Sequence, residues 1–212
     1  MAKGKQIFST IVVLFILVGL PGISYIYLKN GYAYRKEIIA TMEDHGEMPD
    51  LSGLTAVRGT YPVNPRGAMT MVGWLDPTKP ATARRYGTML DSLYRQFEES
   101  PNLYFTTIVK GADAETTART FANEHNLPAD KMLSFLAADE GAFRRSAGDF
   151  SLPQPDLVGE TPIVALVDSS LTIVRYYDLD RREETIGLVQ LIASIIPLKE
   201  RPDLILERKQ EL

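Results

Sequence analysis

Hydrophobic residues first form one long uncharged run near the N-terminus, from residue 7 to residue 28. About 20 such residues are enough for a helix to cross the hydrocarbon core of a bilayer. Four tyrosines cluster towards the C-terminal end of the run, as aromatic residues do at membrane interfaces: Tyr25, Tyr27, Tyr32 and Tyr34. We therefore predict a transmembrane anchor over residues 7–28, preceded by a short tail of residues 1–6 and followed by a connector of residues 29–48.

A cleaved signal peptide is the alternative interpretation of this run. The run is longer than the 7–15 apolar residues usual in a signal peptide, and no Ala-x-Ala cleavage site follows it. Basic residues flank both ends about equally, so their count does not fix the orientation. The short N-terminal tail favours a signal-anchor with the bulk of the protein outside the cytoplasm. We predict a single-pass protein of a bacterial-type inner membrane, with its soluble domain facing the periplasm.

Beyond the connector, short apolar segments alternate with amphipathic ones. The apolar segment 68–75 predicts a buried strand, and the loop Asp76–Pro80 follows it. A helix is then predicted, because apolar residues recur three and four positions apart: Tyr86, Met89, Leu90, Leu93, Tyr94 and Phe97.

The same alternation continues to residue 197. Strands are predicted at 103–109, 132–136, 163–168 and 172–177, and helices at 114–125, 140–148 and 183–196. The last two strands form an antiparallel hairpin in this interpretation. Parallel crossovers followed by a hairpin and a covering helix predict one α/β domain, with three layers (α/β/α) and a mixed sheet, over residues 49–197. Residues 198–212 are predicted to be a charged C-terminal tail.

Composition excludes several kinds of chemistry. The chain has no cysteine, which excludes disulfides, thiolate metal sites and dithiol exchange by its own residues. The first 36 residues hold five basic residues and no acid, so the remainder has 18 basic against 27 acidic residues, a formal charge of −9. Such a domain repels a phosphate backbone, so nucleic acid is not an expected partner.

Two groups of residues are candidates for a metal site. Met42, His45 and Met48 lie three apart just after the predicted anchor, and such side chains are ligands of copper. Asp76 and Glu160 are the second group, and they would suit a hard divalent ion if further oxygen ligands joined them. The simpler interpretation is a polar linker in the first case and turn residues in the second.

Catalytic residues are sparse. Ser146, Ser169 and Ser170 have no histidine at an arguable pairing distance in the sequence, so a serine hydrolase is unsupported. Asp76 as a lone general acid or base leaves carboxylate chemistry open as an enzyme alternative. No catalytic residue, cofactor or small-molecule substrate is predicted.

The order of these elements resembles the thioredoxin fold. An amphipathic helix follows the first core strand directly, and Thr161-Pro162 opens the hairpin. The resemblance implies that the loop between Trp74 and Arg84 corresponds to the reactive loop of that fold. It also implies that Pro162 is the cis-proline lying against this loop. We expect Trp74 to pack beside the loop, and Pro77 and Pro80 to stiffen it.

Within that fold, the chain resembles the SCO/SenC group of single-pass, copper-handling proteins that assist cytochrome c oxidase assembly. The resemblance covers residues 49–197 and the anchor, and it depends on these segments: Pro49-Asp50-Leu51, Met71-Val72-Gly73-Trp74, Leu103–Val109, Phe121–Leu127 and Val164–Tyr177. The group's Cys-x-x-x-Cys is absent, since the loop reads Leu75-Asp76-Pro77-Thr78-Lys79-Pro80. Its histidine copper ligand is absent too, because Glu160 stands at about that place.

These departures predict a protein that has kept the scaffold and lost the copper and redox chemistry. The functional expectation is a non-catalytic, membrane-anchored accessory or assembly factor that works by protein–protein interaction. The resemblance implies a membrane complex as its partner, with a respiratory oxidase as the expected setting. The alternative is an extracytoplasmic accessory protein that binds copper through ligands other than cysteine.

Overall fold

The structure is a computed structural model that describes residues 12–62, 64–100 and 102–196. The predicted tails 1–6 and 198–212 lie outside these residues, as do the first five positions of the predicted anchor. The contacts divide the chain after Thr41 into two compact parts. The two parts are described separately below.

The first part is a single helix. It runs from Val12 to Ile39, with a π-helical turn at Phe15–Gly19 and then helix α1 at Leu20–Ile39. The change from π to α occurs directly before Pro21, whose ring nitrogen has no hydrogen to donate to the preceding turn. The 28-residue helix has a mean hydropathy of 1.9 and is long and apolar enough to be a candidate membrane span.

This helix extends further than the predicted anchor. It continues through residues 29–39, which the sequence pattern had placed in a connector. The later part of this segment holds the good helix formers Ala33, Arg35, Lys36 and Glu37, so a polar sequence continues the helix beyond the apolar run.

The second part contains six strands and four helices in the described residues. The strands are β1 Thr55–Arg58, β2 Met69–Leu75, β3 Leu103–Lys110, β4 Leu133–Ala138, β5 Ile163–Val167 and β6 Ile173–Asp178. The helices are α2 Pro80–Phe97, α3 Ala114–Glu124, α4 Glu140–Asp149 and α5 Arg182–Ile195, with a 3-10 turn at Pro155–Leu157. Strand β1 lies within residues 55–63, where the turn-rich sequence also allows short strands. Apart from the ends of the elements, the other strands and the helices match the predicted succession.

The strands form one mixed sheet in the order β1-β4-β3-β2-β5-β6. The central strands β2, β3 and β4 are parallel, whereas β1, β5 and β6 each run antiparallel to a neighbour. All seven residues of β2 are buried, as the continuous apolar segment predicted for a strand covered on both faces. The predicted β5–β6 hairpin is confirmed.

Helices cover both faces of this sheet. On one face Tyr86 of α2 lies on Gly73 of β2, and Phe121 of α3 contacts Phe135 of β4. On the other face, Phe143 and Ala147 of α4 belong to a buried cluster with Val72 and Ile108. The predicted three-layer α/β/α arrangement is therefore confirmed.

The folded part begins before Pro49, where the sequence pattern had placed its start. Residues 43–48, called the strap below, form main-chain hydrogen bonds with β6 and with the turn that precedes it. The N–H groups of Glu43, His45 and Met48 donate to the carbonyls of residues 174, 173 and 171, at 3.1, 3.0 and 2.7 Å. The polar sequence of the strap hid this pairing, because main-chain hydrogen bonds along a sheet edge do not require apolar side chains.

Candidate functional site

The loop after β2 lies where three parallel strands end. Leu75 closes β2, Lys110 closes β3 and Ala138 closes β4. Residues that follow parallel strands meet at one edge of a sheet, which is where α/β proteins place their ligands. Asp76, Lys110 and Glu140 are brought together at this edge, although they are far apart in sequence.

Asp76 organises the loop around its own carboxylate. One carboxylate oxygen, Oδ1, accepts hydrogen bonds from the Thr78 N–H at 2.9 Å and from the Thr78 hydroxyl at 2.6 Å. The Lys79 N–H donates to the Asp76 carbonyl at 3.1 Å, which closes the turn. Pro80 begins α2, a position where proline's fixed φ suits a helix and its missing N–H costs nothing.

A lysine from the neighbouring strand neutralises this carboxylate. Lys110 Nζ lies 2.9 Å from Asp76 Oδ2 and 2.7 Å from Glu140 Oε2, and the Asp76 side chain is only 5% exposed. Arg144 adds a second cation, since its Nε lies 2.9 Å from Glu140 Oε1. The site is therefore a chain of alternating charges, Asp76–Lys110–Glu140–Arg144.

The pKa values follow from this geometry. Burial alone raises the pKa of the Asp76 carboxyl, but the hydrogen bonds from Thr78 and Lys110 outweigh it, so the pKa is lowered overall. The hydrogen bond to Glu140, followed by that to Asp76, raises the pKa of Lys110. A carboxylate held in its ionised form is a weak base, so this arrangement is better suited to fixing the loop than to proton transfer.

A second ion pair closes the loop from the side of β5. Lys79 Nζ lies 2.6 Å from Glu160 Oε1, and the Thr82 hydroxyl donates to the Glu160 carbonyl at 2.9 Å. Gly159 makes this approach feasible: its φ is +83°, and a Cβ at this position would lie 2.7 Å from Asp76 Cβ. Only glycine fits there without displacing the loop.

The prediction that Pro162 is cis is wrong, because the structure contains no cis peptide bond in the described residues. The Ile163 N–H donates to the Thr161 carbonyl at 2.9 Å, which makes a three-residue turn centred on Pro162. This turn accommodates proline with a trans bond, the form that is favoured by about 0.5–1 kcal/mol for X–Pro.

Trp74, which was expected to pack beside the loop, has its side-chain contacts with α4 and Phe150. Its side chain is buried, its indole N–H donates to the Ser146 hydroxyl at 2.9 Å, and its ring meets Phe150 edge-on at 5.3 Å. The single tryptophan therefore belongs to the core between β2 and α4. Pro77 is exposed at the loop's outer side, whereas Pro80 starts the helix.

Met48 and His45 of the first candidate metal group lie in different environments. Met48 is buried in the core with 8% exposure, and the His45 ring packs on Tyr176 with 4.8 Å between the ring centroids. His45 Nε2 lies 3.4 Å from a Glu43 carboxylate oxygen. These contacts serve to attach the strap to the sheet.

Both carboxylates of the second candidate metal group form ion pairs with lysines. Asp76 is paired with Lys110 and Glu160 with Lys79, so each carboxylate already has a cation. Across the described ranges, no three His, Cys, Asp or Glu side chains are grouped closely enough to hold a metal ion.

Lys110 and Glu140 were not identified from the sequence. Each follows the carboxyl end of a strand that the pattern did predict, and this rule could have found them. Lys110 ends the apolar segment after residue 109, and Glu140 follows the predicted strand at 132–136.

Comparison with solved structures shows that the fold is thioredoxin-like. A proposed protein disulfide isomerase from Bacteroides thetaiotaomicron gives a TM-score of 0.55 at 14% identity, over 73% of this chain and 91% of that one. The C-terminal domain of a proposed thiol-disulfide oxidoreductase from the same organism gives 0.53 at 13% identity, over 71% and 95%. A proposed electron transfer protein from Aquifex aeolicus gives 0.52 at 11% identity, over 72% and 98%.

At these identities the likeness concerns the fold alone. No protein-family model matches the chain, and no curated protein does. Two of these three neighbours are named as a disulfide isomerase and a thiol-disulfide oxidoreductase, whereas this chain has no cysteine to take part in such exchange. The finer resemblance to the SCO/SenC group is therefore carried forward only as a proposal.

Proposed function

We propose that the protein is a non-catalytic, membrane-anchored, thioredoxin-like accessory factor that works by binding a membrane protein complex. The observation that carries the proposal is the state of the β2–α2 loop. Where the fold's oxidoreductases need reactive thiols, this chain holds Asp76 and Lys110 in a nearly buried ion pair. The scaffold is complete, while the loop is stabilised by hydrogen bonds and ion pairs and has no thiol.

Two further features support binding at a membrane. The helix Val12–Ile39 fits a bilayer in length and composition, so an uncleaved helix would keep the domain beside the membrane surface. The resemblance to SCO/SenC proteins suggests a respiratory cytochrome c oxidase as the first complex to examine. It also suggests a bacterial inner membrane, with the domain on the periplasmic side.

The copper-binding alternative receives no support from the contacts of its ligands. Met48 would have to leave the core for its sulfur to reach a metal held by His45. A titration of the full chain with copper(I) and copper(II), under competition with a chelator, distinguishes the two functions. Stoichiometric binding that is lost in His45→Ala would contradict the proposed role without metal.

The direct test is co-purification. Membranes containing the tagged full chain are solubilised in a mild detergent, and proteins retained on the tag are identified and quantified. We expect one defined set of membrane proteins at a fixed ratio to the bait. Recovery of the bait alone from several mild detergents would overturn the proposal.

A further inference from the structure

A groove between α2 and α3, on the opposite side of the β2–α2 loop from the ion pairs, has the features of a binding surface. Its volume is about 420 Å³, and its apolar part is formed by Leu75, Pro77, Pro80 and Phe121. Leu75 and Phe121 are themselves buried core residues, with 1% and 5% exposure, so this part of the groove is firmly supported. At one end the His125 ring lies against Gly87, where an added Cβ would be 2.2 Å from it.

The polar side chains around this groove are unpaired, in contrast to those of the β2–α2 loop. Arg84 lines one wall, and Asp113 and Glu124 line the other. None of the three forms a side-chain hydrogen bond or ion pair within the ranges that the structure describes. The same holds for the hydroxyl groups of Thr117 and Thr120 between the two acids. These groups are therefore available to a ligand.

The spacing of the two acids sets the size of that ligand. Asp113 precedes α3 and Glu124 ends it, 11 positions apart, which corresponds to about 16 Å along a helix axis. In an extended peptide, residues 1, 3 and 5 share one face and span about 13 Å. Two terminal lysines can bridge the remaining distance with their flexible side chains, while the central residue faces the apolar part of the groove.

We propose that this groove binds an extended peptide segment in which an apolar residue lies two positions from a basic residue on each side. The two basic side chains pair with Asp113 and Glu124, and the apolar side chain contacts the exposed rings of Pro77 and Pro80. Arg84, on the opposite wall, donates to main-chain carbonyls of the peptide. The formal charge of −9 outside the first 36 residues favours the approach of such a cationic segment. This proposal deepens the proposed function, because it specifies the chemistry of the partner.

The test uses the full chain in neutral maltoside micelles and the peptide Lys-Ser-Leu-Ser-Lys with blocked ends. Saturation-transfer difference NMR reports which peptide protons contact the protein, and empty micelles provide the blank. We expect the leucine methyl groups to receive the most saturation. We also expect Lys-Ser-Ser-Ser-Lys and Glu-Ser-Leu-Ser-Glu to bind about fivefold more weakly or worse, because each lacks one class of contact.

Three variants test whether the peptide binds in this groove. Asp113→Asn with Glu124→Gln should weaken binding about tenfold, since both charges are lost while the side-chain shapes are kept. Thr117→Trp should abolish binding by filling the groove. Glu115→Gln is the matched control on the same helix: Glu115 pairs with Arg119 and does not line the groove, so binding should stay unchanged.

The groove proposal is overturned if the leucine peptide shows no saturation transfer above the blank at millimolar concentration. It is equally overturned if the serine peptide binds as well, or if both groove variants bind like the unmodified chain. Co-purification separates this failure from failure of the proposed function. If the Asp113/Glu124 double variant retains the membrane complex in full, the accessory role stands and another surface carries the interaction.

Discussion

Asp76 is the residue on which the functional account depends. The sequence predicts that Asp76 lies in a loop after a buried strand, and the structure confirms that position. Its partner Lys110 is 34 positions away, and their contact depends on β2 and β3 being parallel neighbours in register. The strand-end rule places Asp76 and Lys110 at the same edge of the sheet, but it does not give the order or register of the strands. The loop position of Asp76 was therefore predictable from the sequence, whereas the ion pair was not.

Replacement of Lys110 by methionine tests the ion pair. The change keeps most of the apolar stem and leaves the Asp76 carboxylate, which is 5% exposed, without its cation. We expect the free energy of unfolding to fall by about 2 kcal/mol, as for loss of a partly buried hydrogen bond to a charged group. Denaturant unfolding of the full chain in micelles, followed by the fluorescence of Trp74, measures it. The exposed Lys131→Met serves as the control and should change stability by less than about 0.5 kcal/mol.

The same pair predicts a dependence on pH. The pKa of Asp76 is lowered in the folded protein from an ordinary value of 3.8, so its stabilisation is complete above that value. The stabilisation disappears as the pH falls through the lowered, folded-state pKa. Asp76→Asn should therefore be less stable than the unmodified chain at pH 7, and the difference should shrink steadily below pH 3.8. An equal difference at neutral and acidic pH would contradict this explanation.

Gly159 offers a test of how closely the two loops approach. Substitution by alanine meets both a positive φ of +83° and the Asp76 Cβ at 2.7 Å, so we expect a loss of about 2 kcal/mol or more. Gly148→Ala is a matched control within α4, where an added Cβ meets nothing within 4 Å. The control should stabilise the protein by up to about 1 kcal/mol. If both substitutions had the same sign and size, the close approach would be wrong.

Among the elements, the strap is the one that hydrophobic periodicity did not predict. Periodicity predicts every helix and strand with an apolar face, including the hairpin and the buried central strand. The strap has no such face, because it pairs with β6 through its main chain. His45 and Met48 of the candidate metal group lie in the strap, where Met48 packs in the core.

Substitution of Met42, just before the strap, and of Met48, at its end, distinguishes a strap packed on the domain from a free connector. Met48→Ala should lower the free energy of unfolding by about 2 kcal/mol or more, because it removes a buried side chain from the core. Met42→Ala, at a half-buried position before the strap, should have less than half that effect. Unfolding monitored by Trp74 fluorescence measures both. Two equally neutral substitutions would show that residues 43–48 are a connector after all.

At the scale of the whole molecule, a candidate membrane helix precedes a domain that has a thioredoxin-like fold and no thiol. Composition alone establishes the missing thiol, and hydropathy predicts the helix. The fold was assigned from the order of the strands and helices, whereas the ion pairs could be found only in the three-dimensional structure. These features motivate the proposal that the protein works by binding a partner at the membrane.

The mass of the chain extracted from its membrane tests this claim most directly. Native mass spectrometry of the affinity-purified chain, released from a mild detergent, resolves the 23.6 kDa chain from any larger assembly. We predict one dominant assembly that contains the chain and identified membrane subunits in whole-number ratios, with no change on addition of a copper chelator. A single species at the mass of the free chain, in every mild detergent tried, would contradict the account.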